Sequence, residues 1–308
     1  MMAPLKSTHT YRSVAASLIG LLNISELSAQ TRLEARIETR AKARAEISAQ
    51  DVQDLIRADG ANTRAALYQV TNCKGIAVIS HGAGGSESGY SYLAKALQEQ
   101  AWFTVVPGHR ESGIPALRQQ MNGKGIKAGL ANLITDASAY RGRFMDIEAA
   151  LAYARQHCHT DTTVLIGHSM GAATTMLLAG AHNKLALQAP SLPFDAYVAM
   201  SPQGVGSIFP SHAWSGISKP VMTMTGTKDT ELGGLAWETR LDPFKDMQPP
   251  CKWSAVIDGA THMSFSGMTR DKQEKELIIS TTLHFLDQIK NRQCSLPAVI
   301  AGIEIKSK

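Results

Sequence analysis

From Gly75 onward the chain alternates short apolar runs with longer segments of helical spacing. The runs "GIAVIS" (Gly75–Ser80), "WFTVVPG" (Trp102–Gly108), "TTVLIG" (Thr162–Gly167), "AYVAMS" (Ala196–Ser201), "VMTMTG" (Val221–Gly226) and "WSAVIDG" (Trp253–Gly259) are too short and too β-branched to be read as helices, and they predict buried strands. Between them, Tyr90–Gln100, Tyr140–His157 with apolar positions at Phe144, Ile147 and Leu151, the small-residue run after Ser169, and Asp271–Asn291 predict helices. Upstream, "RLEARIETRAKARAEI" (Arg32–Ile47) alternates with period two and predicts a strand, and "TRAALYQV" (Thr63–Val70) predicts another after the turn signal "ADGAN". Strands that alternate with helices imply an α/β fold: a mostly parallel, twisted sheet flanked by helices on both faces.

Length and composition narrow the class. The 308 residues suffice for one sizeable core, no internal repeat or low-complexity linker divides them, and residues 31–308 are expected to form one domain. A formal charge of +5 without a dense Lys/Arg block argues against nucleic acid as a partner. No apolar run reaches the roughly 20 residues of a membrane span. In residues 1–30, Lys6 and Arg12 precede the apolar run "SVAASLIGLL", and small and polar residues follow. That order resembles a secretory signal, which would place the protein in the periplasm or outside the cell. The other reading is a disordered N-terminal arm on a cytoplasmic protein.

Four cysteines form no C-x-x-C pair. Cys73 and Cys158 each precede a predicted strand. If those strands are neighbours, the two thiols share one edge of the sheet and a disulfide is sterically allowed. Cys251 and Cys294 could close a second bridge; four free thiols are the alternative. "HCH" (His157–His159) is metal-like in composition, but adjacent residues of a strand point to alternate sides and no fourth ligand is evident, so no metal is expected.

The candidate chemistry begins at "TTVLIGHSMGAATTMLL" (Thr162–Leu178), where Ser169 sits between Gly167 and Gly171 at a strand-to-helix seam. A tight turn there crowds the residues two before and two after the serine, and glycines remove the clash. The following helix directs its free N–H groups at the site. Such a serine needs a base and an orienting acid, in the order Ser, acid, His. Asp229 follows the strand at Val221, and His262 follows the strand at Trp253. Rivals for the acid are Glu231 and Asp242, while Asp258 reads as a turn residue. His212 comes too early in that order and His284 lies inside the last helix. The glycine-rich "ISHGAGGSESGY" (Ile79–Tyr90) suits an oxyanion hole, with donors expected from the backbone N–H of Met170 and of Ala83 or Gly84. No G-K-[ST] follows, so it is not a phosphate cradle. His81 reads as bracing this loop. Phe265, three residues after His262, is the best pocket candidate, ahead of Phe209, Trp214 and Trp237. The long stretch His109–Tyr140 is a candidate cap over the site.

Together "SHGAGG", "GHSMGA", "SPQG", "TGTKD" and "DGATHMSFSG" resemble the α/β-hydrolase superfamily, and within it the dienelactone hydrolase-like and cutinase-like esterases, from about Ala61 to Asn291. The resemblance implies Ser169 as nucleophile, His262 as base, Asp229 as acid, and Ala83 and Met170 as oxyanion donors. It also implies a small-molecule ester substrate and no cofactor. True dienelactone hydrolases carry a cysteine where this chain has Ser169, which points to ordinary carboxylic esters. Cutinase-like enzymes carry an aromatic residue where this chain has Ala83. An amidase, a peptidase or an acyltransferase would use the same triad, because the pocket selects leaving group and acceptor. A complete triad argues against a non-catalytic binding protein.

Overall fold

The computed structural model describes residues 51–230 and 234–308. The signal-like N-terminus, the period-two stretch Arg32–Ile47 and the rival acid Glu231 lie outside the described residues. Nine strands form one sheet: β1 (Asp51–Ile56), β2 (Asn62–Tyr68), β3 (Gly75–Ser80), β4 (Trp102–Pro107), β5 (Thr163–His168), β6 (Ala196–Met200), β7 (Val221–Lys228), β8 (Lys252–Thr261) and β9 (Ile303–Ser307), in the order β1-β2-β4-β3-β5-β6-β7-β8-β9. The six strands from β4 to β8 are parallel, while β1, β2 and β9 pair antiparallel at the two edges.

The apolar runs divide by parity. Ile76, Val78 and Leu165 face one layer, where α4 (Ala137–His157) and α5 (Met170–Leu178) supply Phe144, Ile147, Leu151 and Met176. Ala77, Ile79, Val164 and Ile166 face the other, where α1 (Ser91–Glu99) and α7 (Lys272–Lys290) supply Leu93, Leu97, Ile278 and Phe285. A strand buried on both faces reads as a continuous apolar run because each parity meets its own helices. Asp136 caps α4 through Ser138 N, so that helix starts three residues before its predicted boundary at Tyr140. Asp271 caps α7 through the N–H groups of Gln273 and Glu274.

The segment after β4 departs from a plain crossover. A 3₁₀ turn (Arg110–Ser112) leads into α2 (Ile114–Met121) and α3 (Ile126–Ile134), two short helices packed on each other before α4 begins. The remaining helix, α6 (Asp242–Asp246), follows a second 3₁₀ turn at Trp237–Leu241. Among the described residues no helix is long and apolar enough to cross a membrane.

Both cysteine pairs are bridged, and no free thiol remains. Cys73 and Cys158 sit at the entrances of the neighbouring strands β3 and β5, with Cα atoms 5.8 Å apart. The thiol of the "HCH" stretch is therefore committed to a disulfide, and its flanking His157 stacks on Tyr153. The 85-residue separation of Cys73 and Cys158 makes this cross-link a strong restraint on the unfolded chain. The double variant Cys73→Ser/Cys158→Ser is expected to lose about 2–4 kcal/mol of unfolding free energy in urea, and thiol titration of denatured wild type is expected to find no free thiol.

Candidate active site

The backbone approaches itself closely where β5 ends. Ser169 has φ 55° and ψ −119°, a left-handed conformation that a non-glycine residue adopts only under constraint. A Cβ on Gly167 would lie 2.1 Å from the Gly171 carbonyl oxygen, and one on Gly171 would lie 2.0 Å from the carbonyl oxygen of Ser80 on β3. The first glycine thus permits the turn itself. The second permits α5 to start against the neighbouring strand, a contact that the spacing within the motif does not reveal. The turn leaves Ser169 partly exposed at the carboxyl edge of the sheet.

Three of the sequence-predicted residues meet there. Ser169 Oγ is 3.0 Å from His262 Nε2, and His262 Nδ1 is 3.0 Å from Asp229 Oδ1. Asp229 follows β7 and is fully buried, whereas the His262 side chain is 34% exposed. Burial by itself would push the Asp229 carboxyl up. The hydrogen bond from His262, the Arg240 guanidinium and the hydroxyl of Ser201 outweigh it, and the group is held below the usual carboxylate range. Ser201 and Thr225 donate their hydroxyls to Asp229 Oδ2, and Arg240 Nε lies 2.9 Å from Oδ1. Arg240 Nη2 also lies 3.3 Å from His262 Nδ1. The shorter contact is to the carboxylate, which can only accept, so Nδ1 carries the proton and donates it to Asp229, and the Arg240 guanidinium, itself only a donor, lies beside Nδ1 without bonding to it. That leaves Nε2 as the acceptor for the Ser169 hydroxyl.

The rival residues are elsewhere. Asp242 accepts from Val205 N and pairs with Lys245, Asp258 accepts from Thr227, His212 faces Asp246 at the surface, and His284 meets the Ser295 carbonyl.

The glycine-rich loop decides between Ala83 and Gly84. Gly85 N donates to Gly82 O, and Gly84 takes the left-handed position of the turn with φ 73°. Gly84 N–H is spent on the Ser112 carbonyl at 2.8 Å. The N–H groups of Ala83 and Met170 have no hydrogen-bond partner among the described residues. Both flank the serine: a Cβ on Gly82 would come within 3.3 Å of Ser169 Cβ.

A cavity of about 480 Å³ opens over Ser169 and His262, walled by Ala83, Leu130, Ile134, Gln203, Met263 and Met268 among others. Leu130 and Ile134 are one turn apart on α3, so the expected cap region contributes one wall. Phe265 is not in that wall. It is fully buried, its ring 6.4 Å from that of His168 and its carbonyl bonded to Tyr92, because the 3₁₀ turn Ser264–Ser266 directs it into the core while Met263 and Met268 meet the cavity. Phe209 and Trp214 pack on each other in the opposite core layer, and Trp237 borders a separate surface groove.

Sequence reading missed the residues that orient these groups. Arg240, on the 3₁₀ turn Trp237–Leu241, binds the carbonyls of Asp229, Ser201 and Pro202. His168 Nε2 meets the His262 carbonyl at 3.0 Å and must be its donor. Its Nδ1 then accepts from Tyr90, whose oxygen accepts from Gly82 N–H. Burial, then the neighbouring His262, holds His168 well below the ordinary histidine range, so it stays neutral. No local pattern marks Arg240 or Tyr90. His168 was visible only as the variable position before the serine.

Known proteins give two points of comparison. Residues 77–260 match the alpha/beta hydrolase family. A crystal structure from Klebsiella pneumoniae subsp. pneumoniae MGH 78578, described provisionally as a dienelactone hydrolase, is similar with a TM-score of 0.55 at 15% identity, over 78% of this chain and 100% of that one. At that identity the likeness is one of fold. No curated protein sequence matches the chain.

Two outcomes follow from this geometry. Gly171→Ala must displace backbone rather than a flexible side chain, and is expected to cost at least about 3 kcal/mol in urea unfolding. The Asp229 carboxyl lies lower in the folded than in the unfolded chain, so its stabilisation is present above the ordinary Asp range and is lost as pH falls through the folded value. The stability gap between wild type and Asp229→Asn is accordingly expected to be widest near neutral pH and to close in acid, read by unfolding at a series of pH values.

Proposed function

The chain belongs to the alpha/beta hydrolase family, and within that family we propose that it is a serine hydrolase that cleaves carboxylic esters through an acyl-enzyme. The observation that carries the reading is the continuous line from Ser169 Oγ through the His262 ring to Asp229, both steps 3.0 Å, at the floor of an open cavity. Ser169 Oγ attacks the ester carbonyl while His262 Nε2 takes its proton. The carbonyl oxygen becomes an oxyanion between the Ala83 and Met170 N–H groups, a contribution of about 3 kcal/mol per donor to the barrier. His262 returns the proton to the departing alcohol. It then takes one from water as the water oxygen attacks the acyl carbon, and passes that proton to Ser169 Oγ as the acyl–oxygen bond breaks and the acid leaves. Asp229 holds the Nδ1 proton in place throughout and stabilises the imidazolium between the two transfers.

An uncharged substrate is supported by the cavity itself. The described residues lining it include no carboxylate, and its one guanidinium, Arg240, is already engaged with the Asp229 carboxylate and four carbonyls. The two disulfides support a place outside the reducing cytoplasm. A peptidase, an amidase or an acyltransferase would use the same proton path, and substrate pairs separate them.

The experiment is hydrolysis of p-nitrophenyl esters from acetate to palmitate by wild type and Ser169→Ala, with matched p-nitroanilides alongside. Wild type is expected to turn over a subset of the esters and Ser169→Ala to lose at least about 10³-fold in kcat. Faster turnover of the anilides, or undiminished turnover by Ser169→Ala, would sink the ester reading.

A further inference from the structure

A second Ser-His-Asp line lies beneath the glycine-rich loop, wholly out of solvent. Ser80 Oγ is 2.8 Å from His109 Nε2, and His109 Nδ1 is 2.9 Å from Asp146 Oδ2. All three residues are fully buried. The buried Arg143 donates Nη1 to Ser80 Oγ at 3.1 Å and to the His81 carbonyl at 2.7 Å, and Nε to Ser112 Oγ at 2.8 Å. Burial and the neighbouring Arg143 and Arg57 keep His109 neutral; its single ring proton sits on Nδ1 and goes to the Asp146 carboxylate, so Nε2 accepts from the Ser80 hydroxyl, while Ser80 Oγ accepts from Arg143. The composition is that of a triad, but no substrate carbonyl can reach Ser80.

What this cluster holds is His81. The backbone N–H of His109 donates to His81 Nε2 at 3.0 Å. That nitrogen must therefore be unprotonated, and the proton of the neutral ring sits on Nδ1. Nδ1 lies 2.7 Å from the Gly82 carbonyl oxygen, to which it donates. The ring has no freedom to leave, since even a Cβ on Gly85 would be 2.7 Å from Nδ1. In a trans peptide the carbonyl of one residue and the N–H of the next point in opposite directions. The Gly82 carbonyl, held by His81 at 2.7 Å and more loosely by the Gly85 N–H at 3.1 Å, therefore turns the Ala83 N–H the other way, where it has no partner among the described residues. Arg143 secures the same result from the far side, because the Ser112 it anchors supplies the carbonyl that occupies Gly84 N–H.

We propose that His81 is the positioning residue of the oxyanion hole, fixing the Gly82–Ala83 peptide so that the Ala83 N–H faces the cavity, and that the buried Ser80–His109–Asp146 line is its support and not a second nucleophilic site. The proposal rests on the ester-hydrolase reading above. It assigns His81 a task in the transition state, so its loss should appear in kcat and leave substrate binding in place.

The test uses the full chain, with rates normalised to sites titrated by a fluorophosphonate. His81→Gln removes the donor at the Nδ1 position and is expected to lower kcat roughly 100-fold with KM changed less than about threefold. His81→Asn puts an amide N–H near that position and is expected to recover kcat to within roughly tenfold of wild type. Gly85→Ala keeps His81 but forces its ring off the carbonyl, and is expected to lower kcat in the same direction. Wild-type kcat in His81→Gln or Gly85→Ala, or a loss confined to KM, would overturn the positioning role and leave the hydrolase reading intact. A wild-type protein that neither turns over esters nor is labelled at Ser169 would overturn that reading, and this inference with it.

Discussion

The site depends on one steric constraint, the contact between the start of α5 and the end of β3. Gly171 stands so close to the Ser80 carbonyl that any side chain there would occupy the same space. This contact fixes the helix directly against the sheet, and the chain can reach it from β5 only through the left-handed Ser169. A serine in that conformation is lifted from the sheet and cannot relax into an ordinary turn. The unfavourable backbone angles persist because the strands on either side are buried on both faces and cannot shift to relieve them.

Around that point each element is held by charge or hydrogen bonding as well as by packing. The acid lies on β7's exit, surrounded by two hydroxyls, an imidazole and a guanidinium, so a buried carboxylate keeps its charge. The same guanidinium ties the exits of β6 and β7 together through the carbonyls of Ser201, Pro202 and Asp229. On the opposite side, the exit of β3 is held from below by Arg143 and His109. Tyr90 and His168 join the two halves, running from Gly82 N–H to the carbonyl of His262. Ser169, His262 and the Gly82–Ala83 peptide thus belong to loops that share hydrogen bonds, and their mutual placement does not rest on one side chain alone.

The cavity is built from different material. Its upper wall comes from α3, an insertion between β4 and α4, and from the methionines after His262. Met263 and Met268 are exposed and flexible side chains. Ser169, Asp229 and His262 are fixed by the sheet, while the cavity wall is carried by elements that can vary without disturbing it.

Much of this was legible in the order of residues. Six parallel strands appeared as apolar runs because burial on both faces leaves few polar positions in them, and their boundaries fell within a few residues of the observed ends. The serine between glycines was legible because close backbone approach excludes every other residue. Asp229 and His262 could be picked by order along the chain, since each follows a strand of the parallel sheet. The edge strands β1 and β9 were not legible: β1 is polar and largely exposed, and β9 is short and pairs only with β8. Phe265 looked like a pocket residue by spacing, yet a 3₁₀ turn directed it into the core. That Gly84 N–H is occupied and Ala83 N–H is not also needed the fold, because it depends on which N–H the distant Ser112 carbonyl reaches. Sequence alone determined the parallel strands, the tight turn at Ser169 and the positions of Asp229 and His262 after their strands, which are set by local sterics and by periodic burial. Only the tertiary structure decided how those groups are oriented, because Arg240, Tyr90, His81 and Arg143 act across dozens of residues through hydrogen bonds that leave no periodic trace in the chain.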